Sequence, residues 1–270
     1  MAADTRSFRS LVLPREHGSW SLAFEPVALG LLVAPSASGS WLALAVAAGF
    51  FVRRPLKLAW TLPAHDPRRA AAATWTMLFA GLALSTLWLA AGNPADLGAN
   101  KQQTAFAALW PLLLAAPFGA AFLWFDLRGD MREAEAEVCG SAAFALVPAA
   151  FATLAGWTAA SALALAALML ARSVPTVLVV RTYLRMQKGQ PSARGLAWLV
   201  AALASAGTLG LVWLDLVPLT GALLAGLLFT RLAWLIGPFR PAWSAKKIGL
   251  LETAVGVILL ASLAFAYRGF

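Results

Sequence analysis

Nine apolar stretches, each close to 20 residues long, follow one another along this chain with little between them: 18–35, 39–57, 71–92, 104–125, 137–156, 158–182, 195–214, 216–236 and 247–267. A helix of about 20 residues rises about 30 Å, the thickness of the hydrocarbon core of a bilayer. The runs are rich in Ala and Leu and lack the period-two alternation of a barrel strand. The chain is therefore expected to be all-α, a polytopic transmembrane bundle of about nine helices. Only 12% of its residues are charged and its mean hydropathy is +0.76, whereas a soluble domain carries about 25% charged residues. The segments leave no room for a soluble domain, so residues 1–270 read as a single integral membrane domain.

With nine spans, alternate loops fall on opposite sides. One side collects the N-terminal tail, Arg53–Arg69, Asp126–Glu137, Arg181–Arg194 and Phe239–Lys247. The other collects Pro35–Ser40, Asn93–Gln103, Gly156–Trp157, Asp215 and the C-terminus. Of 21 Lys and Arg, only Lys101 and Arg268 belong to the second side. The positive-inside rule then sets the N-terminus in the cytoplasm and the C-terminus outside. The same rule accounts for the net charge of +9 without nucleic acid as a partner. Trp41, Trp88, Trp110, Trp157 and Trp213 gather near one set of span ends and the other seven tryptophans near the opposite set, as interfacial belts do. The single cysteine, Cys139, allows no internal disulfide. The N-terminus does not read as a cleavable signal, because only Leu11-Val12-Leu13 separate Arg9 from Pro14 and further charge.

Ionisable groups inside such spans are costly, about 2.5–3.5 kcal/mol at mid-membrane on the lenient scale, and usually face a partner or a polar cavity. Pro14–Glu25, PREHGSWSLAFE, carries the clearest case. Arg15, Glu16 and His17 stand at its mouth, as an interfacial anchor or as a titratable entrance. Glu25 lies about 12 Å further along the helix, next to Pro26, which can kink it. Arg172 lies at a similar depth in ARSVPTVLVVRTYLR, and is expected to pair with Glu25 or to face an anion. Arg172, Arg181, Arg185 and Lys188 could form a ladder for phosphate, since guanidinium matches phosphate oxygens bidentately. Arg53-Arg54-Pro55-Leu56-Lys57 could collect a phosphate head group, or simply set topology. Asp126 and Asp130 are i,i+4, and Glu133 and Glu137 would continue their stripe. Carboxylates so spaced could hold Mg²⁺ with a diphosphate, or could form a solvated helix start. There is no HExxH, GxSxG or Walker loop.

PREHGSW, RRPLK, REAEAEVCG and RSVPTVLVVRTYLR together resemble the bacterial YwiC-like membrane proteins over nearly the whole chain, which implies a multi-pass protein of the bacterial cytoplasmic (inner) membrane. In helix layout the chain is also similar to the UbiA prenyltransferase superfamily. That family carries Asp-rich, Mg²⁺-binding motifs after its second and sixth helices. Here those positions hold Arg53-Arg54-Pro55-Leu56-Lys57 and Arg181–Arg185, so the likeness implies a shared bundle without the usual metal chemistry.

The residues are read as a UbiA-like bundle whose cytoplasm-facing cavity takes an amphiphilic phosphate, prenyl or lipid. Arg172, Arg54, Lys57, Arg181 and Arg15 would hold the head group. Glu25, His17 and Glu137 would handle protons if transfer is catalysed, and Asp126 with Asp130 would be the place for Mg²⁺. Two other classes stay open. One is a proton-coupled transporter working through Glu25 and His17. The other is a membrane scaffold or assembly factor.

Overall fold

A computed structural model describes residues 8–13, 18–92, 105–131 and 133–270. Among these residues there is no strand; the elements are twelve helices. They are α1 (Phe8–Val12), α2 (Gly18–Val33), α3 (Ala37–Thr61), α4 (Pro67–Gly92), α5 (Ala105–Ala108), α6 (Trp110–Arg128), α7 (Ala134–Ala145), α8 (Val147–Leu154), α9 (Ala159–Gln187), α10 (Arg194–Trp213), α11 (Thr220–Ile236) and α12 (Ala245–Ala266). Among the described residues six segments are long and apolar enough to cross a membrane, and Trp20–Val33 and Thr220–Ile236 are shorter apolar helices. The architecture is an all-α polytopic membrane bundle. Every expected span coincides with a helix or a pair of helices.

The boundaries differ where charge misled the reading. α3 continues through Arg53, Arg54, Pro55 and Lys57 to Thr61, and α4 begins at Pro67. The basic residues therefore ride on helix ends rather than in a loop. Pro at a first helical turn costs no hydrogen bond, which suits Pro67. The fifth span is broken at Leu146 into α7 and α8, because Pro148 cannot donate to the turn before it.

α7–α8 is the innermost span, with 72% of its apolar window buried against 11% for α4. α4 packs chiefly on α3 and otherwise faces outward. The main core joins Leu29 of α2, Leu42 of α3, Phe151 of α8, Leu165 and Met169 of α9, Leu224 of α11 and Leu263 of α12. A Cβ at Gly30 would fall on the Phe151 ring, so glycine is what lets α2 and α8 approach so closely. No water competes in a bilayer, and such close contact between small residues supplies much of the association.

Contacts close each end separately. At the basic end, Arg54 donates to the Ser10 carbonyl of α1 at 2.8 and 3.0 Å, and Lys57 meets Asp126 at 3.0 Å. Arg181 of α9 meets Glu137 of α7 at 3.4 Å. The buried Tyr183 phenol donates to the Pro241 carbonyl at 2.6 Å and accepts the Trp243 N–H at 2.8 Å, holding the α11–α12 connection against α9. At the other end Thr153 donates to the Ala108 carbonyl at 2.5 Å, and Trp157 lies 5.6 Å from the Tyr267 ring. Loops expected on one side do meet one another there.

Candidate functional site

Four charged side chains from four helices converge inside the bundle. Arg172 of α9 is 3% exposed and Arg231 of α11 is 6% exposed. The side chains of Glu25 on α2 and Glu252 on α12 are 14% and 13% exposed. Glu25 is the eighth residue of α2 and Glu252 the eighth of α12, each about 10 Å in from the basic end at about 1.5 Å per residue. The group is deep in the apolar layer, displaced toward that end.

Glu252 is the hub. Its Oε2 accepts from Arg172 Nη1 at 3.2 Å and from Arg231 Nη1. Its backbone carbonyl accepts from Arg172 Nη2 at 3.0 Å. Thr176, one turn beyond Arg172, accepts from Arg172 Nη1 at 2.6 Å and from Arg231 Nη2 at 3.2 Å, while donating to the Arg172 carbonyl at 2.6 Å. Glu25 is held more loosely. Its Oε1 lies 3.6 Å from Arg172 Nη2, beyond hydrogen-bonding range. Its carboxylate rests on Gly256, where a Cβ would collide with it. Two acids and two guanidiniums leave the set formally neutral. Hydrogen bonding is nonetheless incomplete: Arg172 Nε, Arg231 Nε and Glu252 Oε1 are buried without partners. Buried polar groups rarely go unsatisfied, and a water is the usual partner for such atoms.

A small cavity adjoins the set on the α9–α10–α11 side. Arg172, Thr176, Arg231, Ser205 and Thr208 line it, and about 20 Å³ is open to the centres of water molecules. That is room for a water or two. Pro175 cannot donate to the Ala171 carbonyl one turn back, and both residues line the same space. An apolar groove of about 470 Å³ runs along the outer surface between α9 and α10, past Leu170, Val174, Val200, Leu203 and Leu211. It shares Ala171, Pro175, Ala204 and Thr208 with the polar cavity. Polar cavity and apolar groove lie side by side, with these four residues as their common wall.

The other sequence candidates are placed elsewhere. Arg172 and Arg181 are nine residues apart, about two and a half turns, so they point to opposite sides of α9: Arg172 to α12, Arg181 to Glu137 of α7. The expected arginine ladder does not form on one face. The acidic stripe does not form either. α6 ends at Arg128, Gly129 takes a left-handed conformation (φ 89°), and α7 starts only at Ala134, with Glu133 as its cap. Asp126 and Asp130 therefore do not share a helix. Asp126 is buried and meets Arg53 at 2.5 Å and Lys57 at 3.0 Å, and Arg53 in turn lies over the Phe122 ring at 5.1 Å. A carboxylate bridged by two cations is a poor ligand for Mg²⁺, which wants unshared oxygens in octahedral array. Among the described residues no three His, Cys, Asp or Glu side chains gather where a metal ion could be held. Arg15 and His17, with Glu16, lie outside the described residues.

Arg231 and Glu252 were missed by the sequence reading. The signal was there: each is an ionisable residue inside an expected span, at 216–236 and 247–267, as Glu25 is inside 18–35.

The fold defines a polytopic α-helical membrane protein with a buried cluster of four charged side chains at its centre. The family model described as YwiC-like protein matches residues 13–152, just over half of the chain, and the chain belongs to the YwiC-like family. The matched segment carries Glu25 and the Arg53–Lys57–Asp126 contacts, whereas Arg172, Arg231 and Glu252 lie beyond it. No curated protein and no solved structure shows a significant match.

Proposed function

We propose that this protein binds an amphiphilic anion, a lipid or prenyl phosphate, with its head at Arg172 and Arg231 and its tail in the α9–α10 groove. The observation that carries the reading is the shared wall between a cavity lined by two arginines and an apolar groove open to the surrounding lipid. Guanidinium groups match phosphate oxygens in pairs, and Thr176, Ser205 and Thr208 add hydroxyls. The basic end of the bundle is taken to face the cytoplasm of a bacterial inner membrane. Arg54, Lys57 and Arg181 are engaged with Ser10, Asp126 and Glu137, so in this reading they hold helix ends together rather than the ligand. No step through Mg²⁺ is included.

The test is thermal stability of detergent-purified protein with farnesyl phosphate. A ligand at about 100 times its Kd adds about 2.7 kcal/mol to the folded state. Gly207 lines the groove and a Cβ there meets nothing within 4 Å, so Gly207→Phe fills the groove without disturbing the core. Stabilisation of the native protein that Gly207→Phe abolishes supports the reading; no stabilisation of either removes it.

A second reading, a proton-coupled carrier, is favoured by the loose hold on Glu25 at 3.6 Å from Arg172, since intramembrane carboxylates of this kind serve proton relays. Solute uptake by proteoliposomes that follows an imposed pH gradient and fails in Glu25→Gln would favour it over the first.

A further inference from the structure

We propose that Glu252 is a resident counter-ion which the ligand's anionic head displaces from Arg172 and Arg231, taking up a proton as it leaves, so that binding is proton-linked. The inference rests on the amphiphile-binding reading above.

Competition for the guanidinium donors requires displacement. The cavity beside Arg172 and Arg231 admits only a water or two, so a phosphate is not held there without rearrangement. Of the four terminal guanidinium nitrogens of Arg172 and Arg231, Glu252 holds three. Arg172 Nη1 and Arg231 Nη1 both donate to its Oε2, and Arg172 Nη2 donates to its carbonyl.

Charge requires the proton. The charged groups facing Glu252 are Arg172 from α9, Arg231 from α11 and, across Arg172, Glu25 from α2. On α12 itself the nearest ionisable groups, Lys246 and Lys247, are exposed and lie more than a turn away. Glu25 and Glu252 balance Arg172 and Arg231 as the structure stands. A dianionic phosphate arriving with both acids ionised leaves two uncompensated negative charges in the membrane interior, which is strongly unfavourable. One proton on the displaced carboxylate removes one of those negative charges.

Glu252 is the acid that moves, because it alone holds both arginines. Glu25 contacts only Arg172 and packs on Gly256, where it remains as the counter-ion of Arg172 after exchange. Glu252 Oε1 has no partner to lose.

The experiment is titration calorimetry of farnesyl phosphate into the detergent-solubilised full chain at pH 8, in two buffers of different ionisation enthalpy. At that pH the phosphate is already a dianion, so protons it takes up itself are few. The expected result is close to one proton taken up per ligand bound by the native protein. Glu252→Gln, which carries the neutral form permanently, should bind about tenfold more tightly with uptake near zero. Because the first measurement uses the native chain, it stands even where the variant folds poorly. Binding without proton uptake overturns the proposal while leaving the amphiphile site intact. Uptake that persists in Glu252→Gln assigns the proton to another group and overturns it likewise. Absence of binding by folded native protein at every ligand concentration overturns the site reading, and this proposal with it.

Discussion

The molecule holds two groups of buried or half-buried charge, and they are built on different logic. At the basic end Asp126 answers two cations, Lys57 is partly open to water, and Arg53 lies over Phe122. Inside the bundle, Arg172 and Arg231 share the Glu252 carboxylate, Glu25 stands 3.6 Å from Arg172, and a cavity opens beside the two arginines. The first arrangement fastens α3 to α6. The second contributes no fastening that apolar side chains would not supply more cheaply, because burying ions costs several kcal/mol each before their attraction returns any of it. The inner group differs in that a cavity adjoins its charges.

The sharpest way to break that contrast is Arg172→Ala. It strips Glu25 of its cation and leaves Glu252 with Arg231 alone, so folded-state stability in detergent should fall by about 3–5 kcal/mol, the cost of orphaning a buried partner. The double variant Arg231→Leu with Glu252→Leu removes an opposed pair together and leaves Arg172 with Glu25. It should stay near native stability while losing farnesyl phosphate binding. If the double variant unfolds as readily as Arg172→Ala, the inner group is a fastening after all and the contrast is lost.

Asp126→Ala tests the other member of the comparison. It deprives Arg53 and Lys57 of their shared carboxylate, and about 2–3 kcal/mol of stability should be lost, read as a lower denaturation midpoint. Ligand binding should be unchanged, since none of the cavity-lining residues is touched.

Gly256→Ala comes next. The added methyl meets the Glu25 carboxylate, which must shift away, and overpacking of this kind costs about 1–3 kcal/mol. Gly249→Ala, on the same helix with nothing within 4 Å, serves as the control and should be neutral or slightly stabilising. Equal effects at the two glycines would mean that Glu25 has room to move and is not held where the structure has it.

How far the sequence announced all this varies with the signal. The bundle was legible because hydropathy acts over whole segments: each window of 18 or more apolar residues became a helix or a pair of helices, and the differences lie at a break such as Leu146 and at ends such as Arg53–Thr61, where the helix continues through its charged residues. The Glu25–Arg172 contact was legible because two charges at equal depth have few alternatives. Their partners Arg231 and Glu252 were marked by position in the same way, each an ionisable residue inside an expected span. The proposed arginine ladder and acidic stripe failed for rotational reasons. Depth along a helix says nothing about which side a residue faces, and Gly129 ended the helix on which the stripe depended. The groove between α9 and α10 was beyond reach, since it depends on how two helices sit side by side.

The smallest expected effect lies at the exposed turn between α3 and α4, outside the apolar layer. Asp66 accepts the Arg68 backbone N–H at 2.8 Å and its guanidinium Nη2 at 2.7 Å. These hydrogen bonds, with the positive charge of Arg68, hold its carboxyl down to about 2. A carboxyl depressed in the folded state contributes stability that is complete above the ordinary carboxylate range and is lost as pH falls through the folded value. Asp66→Asn should therefore differ from native most at neutral pH, and the two melting curves should converge as pH approaches about 2. The pair lies at the surface, with Arg68 exposed and Asp66 half-buried, and surface ion pairs contribute little, so the neutral-pH difference should be the least of the substitutions considered and should shrink further in high salt. A difference that widens on acidification would mean that the turn is held by something other than this carboxylate, and a difference as large as that of Asp126→Ala would erase the distinction between exposed and buried charge on which the comparison stands.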